Sequence, residues 1–460
     1  MGHWIPVTWL TLGLDHVLWG MDPRGYHLTS LLFHTATAVT FYLLACRLLE
    51  RALPRNTPRL DITLGAAASA LFFAVHPLRV ESVAWATERR DVVSGLFFVL
   101  TLLAYLKMVE APGGRRRGWY LTSLALFIGA LLSKSITVAL PVVLLVLDVY
   151  PLRRLAWPGR WGAPERRVLL EKIPYALLSL AVSVVALVAM TSIRNITPIA
   201  RLGWLQRAAI SLYSLAFYLW KTLVPLDLSP LYEMPVRIDP LAWPYLLVAV
   251  VVAAVTAAAV APRRRWPALL AVWVGYIVIL LPVLGIVQNG PHIAADRNTY
   301  LASLGWALLA GAAVAWPWSG SRVLRAVAAA MVVVLVVLTA QQVRVWRDSV
   351  SLWSHAVALE PANRLARINL GGAYVEQERM PEAIVQYREV LRLSRDKAPW
   401  YAVLGWLYAR SGLVADALPL FVEALRLEPG RADACANVRE AVAVLGVPAP
   451  AELSGCPPVG

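Results

Sequence analysis

The sequence predicts an all-α polytopic membrane protein, a bundle of about ten transmembrane helices followed by a short solenoid of helical repeats. Of its 460 residues, 59% are hydrophobic and only 15% are charged, against roughly 25% in soluble domains. Apolar stretches long enough to cross a hydrocarbon core of about 30 Å recur up to residue 341. A repeat with a 34-residue period then follows.

Residues 1–341 are predicted to form the membrane domain. A helix pairs its own backbone N–H and C=O groups, so apolar stretches of this length are expected to cross the membrane as helices. The stretch 208–226 is apolar too, but as a crossing it would break the charge pattern of the loops, so we interpret it as interfacial or re-entrant. The predicted spans are 28–49, 61–76, 91–109, 119–133, 137–150, 173–192, 241–261, 267–287, 299–317 and 323–341.

The arginines predict the orientation. They account for much of the net charge of +15 and concentrate in alternate loops, at 47–59, 115–117, 153–167 and 263–265. The positive-inside rule assigns these loops to the cytoplasm, so they do not indicate nucleic-acid binding. The remaining loops, and everything after residue 341, are then expected outside the cytoplasm. Residues 1–27 would also lie outside although no span precedes them, so we expect the true N-terminus to lie upstream.

Residues 342–445 have the tetratricopeptide pattern, which is expected to form an extracytoplasmic domain of paired helices. A shift of 34 residues superposes Gly371 on Gly405 and Tyr387 on Phe421. The glycines are expected to let paired helices approach closely, and the aromatic rings to fill the gaps between them. A plain helical spacer and a peptide-binding groove both fit such a module.

Cofactor and metal chemistry have little support in the sequence. Cys46, Cys435 and Cys456 have neither zinc-site spacing nor an even disulfide framework, although a Cys435–Cys456 bridge stays an alternative. No metal motif, P-loop or dinucleotide fingerprint occurs at a credible place, so neither a metal nor a cofactor is expected. Residues 446–460 are predicted to form a flexible tail.

One group of polar residues follows the second predicted span, where charge near a bilayer is costly enough to have a use. If the segment from Val80 is helical, Glu81, Glu88 and Asp91 lie close to one face. They would then deprotonate a hydroxyl acceptor or bind sugar hydroxyls, with the neighbouring arginines holding a phosphate. Anchoring of two helices by interface charges is the alternative. The group comprises His76, Arg79, Glu81, Glu88, Arg89, Arg90 and Asp91.

Three further positions carry polar groups near the expected membrane surface. Lys134 is a lone lysine between apolar runs, which suits a lipid phosphate or a snorkelling interfacial side chain. Arg297 stands at the mouth of a span, where it either balances Asp296 internally or contributes to function together with Tyr300, one turn further on. The start of the chain is rich in aromatic residues, which is typical of an interfacial helix. Within it, Asp15 is either a surface residue or a participant in the chemistry.

Taken in order, these segments resemble the transmembrane and tetratricopeptide-repeat O-mannosyltransferase family, multi-span glycosyltransferases of the GT-C class. The similarity covers nearly the whole chain and includes the C-terminal repeats. It rests on Pro6-Val7-Thr8-Trp9-Leu10, Gly25-Tyr26-His27-Leu28, Phe73-Ala74-Val75-His76-Pro77, Glu81-Ser82-Val83-Ala84, Arg90-Asp91, Lys134 and Asp296-Arg297 with Tyr300-Leu301.

The resemblance implies a polyprenyl- or dolichyl-phosphate-linked sugar, expected to be mannose, as co-substrate. The sugar would pass outside the cytoplasm, with inversion, to a Ser or Thr hydroxyl of an acceptor protein. Glu81 and Asp91 would line the sugar or acceptor pocket and are the candidate catalytic acids. Donor-phosphate contacts would come from Arg90, Lys134 and Arg297, supported by His76, Arg89, Asp296 and Tyr300.

The family also carries an acidic motif in a first extracytoplasmic loop, after an initial span. This chain begins beyond the point where both are expected, so the resemblance predicts that the family's catalytic acid is missing from it. A non-catalytic membrane scaffold that docks envelope proteins on its repeats is therefore the alternative function. The composition, rich in Arg and Ala, favours a bacterial inner membrane, with the endoplasmic reticulum membrane as the eukaryotic alternative.

Overall fold

The chain divides into two compact helical units in a computed structural model. The structure describes residues 4–156, 159, 162–192, 197–235, 237–288, 290–316 and 321–457. The first unit comprises Met1–Leu228 and Met234–Val343, and the second comprises Ser229–Glu233 and Arg344–Gly460.

The first unit is a bundle of helices joined by short turns and by several longer connections, such as residues 224–242 between α10 and α11. The 3-10 turns that matter for the site are Pro77–Arg79, Ala86–Glu88 and Asp296–Asn298. A short strand, β1 (Tyr232–Glu233), belongs to the second unit, and another, β2 (His292–Ala294), belongs to this one. The helices are α1 (Pro6–Trp19), α2 (Pro23–Ala52), α3 (Arg59–Ala74), α4 (Val80–Ala84), α5 (Arg89–Glu110), α6 (Gly113–Ser133), α7 (Leu140–Val149), α8 (Ala163–Leu170), α9 (Ile173–Ser192), α10 (Trp204–Leu223), α11 (Trp243–Val260), α12 (Pro267–Leu280), α13 (Thr299–Ala315) and α14 (Ser321–Val345).

Each predicted span falls on helical structure, so the all-α polytopic membrane fold is confirmed. Residue 317, the last of the span 299–317, lies outside the described residues. Six described helical segments are long and apolar enough to cross a membrane alone. A seventh crossing results if the bent pair Arg59–Ala74 and Pro77–Ala84 counts as one span. The segments Ser135–Val149 and Pro267–Val283 are apolar but shorter. Helix α10, interpreted above as interfacial or re-entrant, is not among the six.

Helices α3 and α13 pack closely through small residues. A Cβ atom added at Gly311 would lie 2.0 Å from the Ser69 hydroxyl oxygen and 2.2 Å from the Gly65 carbonyl oxygen. Gly65 faces Gly311 and Ala315 in the same way. Because lipid is as apolar as a leucine side chain, membrane helices gain stability from such close packing. These four positions therefore fix the distance between α3 and α13.

The second unit is a helical solenoid with the predicted tetratricopeptide arrangement. Helices α16 (Arg364–Glu376) and α17 (Met380–Leu393) are followed by α18 (Ala398–Arg410) and α19 (Val414–Leu427). Helix α18 begins 34 residues after α16 begins, and α19 begins 34 residues after α17 begins. A Cβ atom at Gly371 would meet the Tyr387 ring at 2.7 Å, and one at Gly405 would meet the Phe421 ring at 2.6 Å. The predicted helical repeat is confirmed, and the structure adds that each glycine makes room for the aromatic ring of its partner helix. The other helices are α15 (Ser349–Leu359) and α20 (Ala432–Leu445).

The second unit also includes residues 229–233, which the sequence analysis assigns to the membrane domain. The Glu233 carboxylate accepts a hydrogen bond from the backbone N–H of Arg364 at 2.8 Å. The Asn363 side-chain amide donates to the Leu231 carbonyl oxygen at 3.4 Å. This segment therefore covers the N-terminus of α16, where backbone N–H groups have no partner within the helix.

The C-terminal tail has more structure than predicted. Residues Ala451–Gly455 form a 3-10 helix, and Leu453 packs against the apolar core formed by α19 and α20. A disulfide joins Cys435 in α20 to Cys456, with the Cα atoms 5.9 Å apart. The prediction of a flexible tail is thus wrong for these residues, because the apolar contact and the covalent link both hold them on the solenoid. Residues 458–460 lie outside the described part.

Gly311→Ala is expected to destabilise the first unit by about 1–3 kcal/mol. The new methyl group would overlap the Ser69 hydroxyl and the Gly65 backbone, so α3 and α13 must separate. Thermal unfolding of the detergent-solubilised protein measures the loss. Gly275→Ala in α12 is the matched control, since its Cβ atom would meet no atom within 4 Å. Equal midpoints for the two variants would contradict the close packing.

Cys456→Ser is expected to lower the stability of the second unit by about 3 kcal/mol, the chain-entropy value for a loop of this size. The disulfide closes a loop with a sequence separation of 21, so its loss frees the tail from α20. Limited proteolysis of the full chain in urea should cleave the tail at lower urea concentrations. Cys46→Ser, which removes the free cysteine of α2, should leave the cleavage pattern unchanged.

Candidate functional site

Polar side chains from four segments of the first unit converge at one end of the helix bundle. These segments are the turns and short helix from residue 77 to 88, the first turn of α5, the residue after α6, and the turn before α13. They contribute three carboxylates and three cations that are held together by ion pairs. We call this set the ionic cluster: Glu81, Glu88, Arg90, Asp91, Lys134 and Arg297.

Arg297 is bound by two carboxylates from the segment before α5. Its guanidinium forms an ion pair with the Glu81 carboxylate, and its Nε lies 3.3 Å from a Glu88 oxygen. The backbone N–H of Arg297 also donates to Glu81 at 2.7 Å. The predicted Asp296–Arg297 charge balance is therefore not the main pairing of this arginine. The Asp296 side chain is itself buried, and its backbone carbonyl accepts a hydrogen bond from the Thr299 hydroxyl at 2.7 Å.

Lys134 and Arg90 complete the cluster. The Lys134 ammonium forms an ion pair with Asp91 and lies 3.9 Å from Glu88. The Arg90 guanidinium donates to Glu88 at 2.8 Å through its Nε. The Ser82 hydroxyl donates to the second oxygen of Asp91 at 3.1 Å. Glu88 thus lies next to all three cations and links the ion pairs into one network.

The prediction that Glu81, Glu88 and Asp91 lie on one face of a continuous helix is wrong. Trp85 has an extended backbone conformation (φ −87°, ψ 107°) that ends α4, and Ala86–Glu88 forms a 3-10 turn before α5 begins. The chain therefore turns between Glu81 and Glu88. The three carboxylates still come together, because they share cations and not because of helical spacing.

The cations of the cluster face a cavity, whereas its acids lie behind them. The acid side chains are 3% exposed, against 12% for Lys134, 14% for Arg297 and 19% for Arg90. These three cations line a cavity of about 150 Å³ together with Gln288, His292 and several apolar residues. Among the described residues, the lining contains no carboxylate. The cavity therefore presents the cations, and not their carboxylates, to a ligand.

His292 is a neutral donor or acceptor at the rim of this cavity. Burial, reinforced by the positive charge of Arg297, lowers the pKa of His292 to about 4. A group with a lowered pKa loses its proton well below neutral pH, so the ring carries no charge under ordinary conditions. The sequence analysis gave His292 no role.

Lys134 is positioned by the first helix of the chain. The buried Thr8 hydroxyl donates to the backbone carbonyl of Ser133 at 3.0 Å, directly before Lys134. Thr8 belongs to the motif at residues 6–10 on which the family resemblance rests. This contact gives the motif a structural role at the cavity.

His76 and Tyr300 support the surrounding helices and do not line the cavity. The His76 ring contacts the Thr222 carbonyl oxygen at 3.1 Å, which joins the turn to the end of α10. The Tyr300 hydroxyl lies 2.8 Å from the His34 ring. A Cβ atom at Gly95 would lie 2.5 Å from the Tyr300 ring, so this glycine makes room for it. Both side chains therefore fix the helices that carry the cluster.

Arg79 is buried beside Tyr300. Its guanidinium lies 5.4 Å from the Tyr300 ring centre and 5.5 Å from that of Phe73, a cation–π geometry. One nitrogen donates to the Thr299 hydroxyl at 2.7 Å. The neighbouring Arg297 serves the cavity, whereas Arg79 anchors the start of α13.

Arg89 serves the fold and not the cavity. It forms a fully buried ion pair with Asp15 of α1 and donates to the Tyr26 carbonyl oxygen at 2.5 Å and to the Ser30 hydroxyl at 3.2 Å. These contacts join α1, the start of α2 and α5. Asp15, which the sequence left open between surface and chemistry, is therefore a structural partner of Arg89.

The fold and the site together define a polytopic membrane protein that carries a tetratricopeptide solenoid and a cation-lined cavity at one end of its helix bundle. No family model matches the chain. It is 24% identical to the protein O-mannosyl-transferase Tmtc3 of Drosophila melanogaster, over 92% of this chain and 52% of the relative. The identity to human protein O-mannosyl-transferase TMTC1 is 25%, over 84% of this chain and 48% of the relative.

A shorter match has higher identity. Human protein O-mannosyl-transferase TMTC2 is 33% identical over 156 residues, which are 33% of this chain and 17% of the relative. The chain thus spans about half the length of the relatives it matches over most of its sequence. These similarities confirm the resemblance to the transmembrane and tetratricopeptide-repeat O-mannosyltransferases.

Asp15→Asn is expected to destabilise the protein by about 3–5 kcal/mol, the loss found when one partner of a buried ion pair is removed. The change leaves the Arg89 guanidinium charged and buried against a neutral amide. Thermal unfolding in detergent measures the effect. Asp22→Asn is the matched control, because Asp22 is exposed at the N-terminus of α2 and asparagine caps a helix about as well. A midpoint for Asp15→Asn equal to that of the control would argue against the pair.

Proposed function

We propose that the protein is a membrane glycosyltransferase that uses a polyprenyl- or dolichyl-phosphate-linked sugar, with mannose as the expected sugar. The acceptor is a Ser or Thr hydroxyl of a protein on the extracytoplasmic side. One observation carries the proposal: Arg90, Lys134 and Arg297, which come from three separate segments, line one cavity. The names of the relatives support the same reaction.

The cations supply what the departing lipid phosphate needs. As the sugar leaves, negative charge grows on the phosphate oxygens, and fixed N–H donors stabilise that charge without reorganising. An arginine has five N–H donors in a planar fork, and a lysine has three. The acids of the cluster engage only part of these donors. Two arginines and a lysine are therefore suited to grip a phosphate while their carboxylates hold them in position.

Glu81 and Asp91 act, on this proposal, as positioning residues for Arg297 and Lys134. Each carboxylate is buried behind its cation, so it orients a phosphate-binding group and does not reach the acceptor hydroxyl. The catalytic base would come from elsewhere in the complete active site. This differs from the role that the family resemblance gave them as acids of the sugar or acceptor pocket.

The remaining lining of the cavity fits an amphipathic donor. Ile5, Ile136, Met190 and Ile293 lie beside the cations. Binding sites commonly combine an apolar lining with a few placed polar groups that fix the orientation of the ligand. A lipid phosphate, with a charged head and an apolar chain, meets both requirements.

The orientation and location of the protein are also proposals. Disulfides persist in oxidising compartments, so the Cys435–Cys456 bridge supports an extracytoplasmic solenoid. The arginine-rich loops of the first unit then face the cytoplasm. We propose the bacterial inner membrane as the location, with the endoplasmic reticulum membrane as the alternative.

A non-catalytic membrane scaffold is the second candidate. It is favoured by the cavity lining, which among the described residues holds cations but no acid able to act as a base. Such a scaffold would bind a lipid phosphate without transferring its sugar and would dock acceptor or envelope proteins on the solenoid. Donor binding and sugar transfer therefore have to be measured side by side.

Arg297→Lys is expected to reduce sugar transfer by about a hundredfold, the usual cost of losing one transition-state donor. Lysine keeps the charge beside Glu81 and Glu88, so the fold should persist, but it lacks the guanidinium fork. The assay measures transfer of labelled mannose from a short polyprenyl-phosphate-mannose to a Ser/Thr peptide, with donor binding measured on the same samples. Arg24→Lys, at an exposed position of α2, should leave both unchanged.

The outcomes separate the two candidates. Transfer that falls in Arg297→Lys but not in Arg24→Lys supports the glycosyltransferase. Donor binding that depends on Arg297 without any transfer favours the scaffold. If the folded protein neither binds nor transfers the donor, the cavity does not serve a lipid phosphate and both candidates are wrong.

A further inference from the structure

A second polar network lies at the opposite end of α5 from the ionic cluster. Helix α5 has 22 residues, which is roughly 33 Å at 1.5 Å per residue, about the thickness of a bilayer core. The ionic cluster includes its first turn, whereas Tyr105 stands near its other end. The Tyr105 hydroxyl donates to both oxygens of Asp148, at 2.7 and 2.9 Å. The two networks therefore lie near opposite faces of the membrane.

Asp148 is the buried centre of this second network. Its carboxylate accepts from the Arg154 guanidinium at 3.0 Å and lies 2.7 Å from the Lys172 ammonium. The Tyr105 and Asp148 side chains are fully buried. Arg154 lies at the start of the loop between α7 and α8. Its contact with Asp148 holds the guanidinium on the side that faces the buried network.

Glu171 links this buried centre to the surface. One of its oxygens accepts from Arg154 at 2.7 Å, and the other forms an ion pair with Arg116 in the first turns of α6. Its backbone carbonyl accepts from the Tyr120 hydroxyl at 2.9 Å. Each carboxylate oxygen of Glu171 thus pairs with a different arginine, so Glu171 sets the distance between Arg116 and Arg154.

A cavity opens over these arginines. Its lining consists of Arg116, Arg154, Arg167 and Glu171, with Ala163, Pro164 and Val168 of α8. Three arginines against one glutamate leave a net charge of +2 on the lining, and the one carboxylate is already shared between two of the arginines.

We propose that this cavity binds the phosphate of an anionic lipid headgroup at the face of the membrane opposite the ionic cluster. The recognised chemistry is a phosphate ester gripped by guanidinium groups, whose paired N–H donors match phosphate oxygens. A lipid is favoured over a soluble phosphate because α8 leads into the long apolar segment Ala163–Ser192, which can cross a membrane. Acyl chains of a lipid in the cavity would therefore lie along α9. The site is separate from the donor cavity and does not depend on the proposed transferase activity.

Neighbouring arginines of the same helices supply a matched control. All four arginines are exposed, but Arg116 and Arg167 line the cavity, whereas their neighbours Arg115 and Arg166 do not. The double variants Arg116→Gln/Arg167→Gln and Arg115→Gln/Arg166→Gln remove the same charge from the same two helices. Only the first pair is expected to weaken the site.

The test is native mass spectrometry of the detergent-solubilised full chain, titrated with phosphatidylglycerol, phosphatidylcholine or inorganic phosphate. We expect phosphatidylglycerol to bind in preference to phosphatidylcholine, and Arg116→Gln/Arg167→Gln to weaken that binding about tenfold or more, as expected for two lost charge-assisted contacts. The control pair should stay within about twofold of the unaltered chain. Thermal unfolding without added lipid verifies that both variants are folded.

Three results would overturn the proposal. Equal weakening by both double variants would show that diffuse charge, and not the cavity, attracts the lipid. Equal binding of phosphatidylcholine would show that the headgroup charge is not recognised. Full displacement of phosphatidylglycerol by millimolar inorganic phosphate would assign the site to a soluble anion.

Discussion

Buried carboxylates that must share cations fix the geometry of one end of the helix bundle. A buried carboxylate is costly unless it is paired and hydrogen-bonded, so Glu81, Glu88 and Asp91 constrain where Arg297 and Lys134 can lie. Arg297 precedes α13, and Lys134 follows α6. The ion pairs therefore bring together helices that are distant in sequence, and the cavity lies where the cations emerge from them.

Helix α5 transmits this constraint through the bundle. Its first residues supply Arg89, Arg90 and Asp91, and Tyr105 near its other end contacts the buried Asp148. Gly95, between these ends, leaves room for the Tyr300 ring of α13. Polar contacts thus hold both ends of α5. Between them, its packing depends on the close fit of side chains, as at Gly95 and Tyr300. A helix fixed in this way can position charged groups at both membrane faces.

The sequence predicted best where both partners of a contact belong to one local pattern. The 34-residue repeat places Gly371 and Gly405 at equivalent positions, and likewise Tyr387 and Phe421, so the helix pairing of the solenoid follows from one local pattern. The spans, too, follow from local hydropathy. Arg90, Lys134 and Arg297 could be singled out individually, since a lone cation at the end of a span is unusual.

Contacts between distant segments were beyond such patterns. The central position of Glu88 depends on the chain turning at Trp85, and nothing in the local sequence excluded a continuous helix there. Asp15 pairs with Arg89, 74 positions further along the chain, and Glu81 pairs with Arg297, 216 positions further along. A single sequence shows that each of these residues is charged, but it does not show which residue pairs with it. The position of residues 229–233 in the second unit requires the folded chain for the same reason. The Cys435–Cys456 disulfide, which the sequence left as an alternative, is present in the structure.

The ionic cluster balances its own charge, and this explains how cations can line a cavity near the membrane before any ligand binds. Three acids and three cations leave no net charge, so the desolvation cost of each ion is offset within the protein. A lipid phosphate entering the cavity adds negative charge on the exposed side of the cations, opposite their carboxylates. On the proposed function, the phosphate would share these cations with Glu88, which lies next to all three of them.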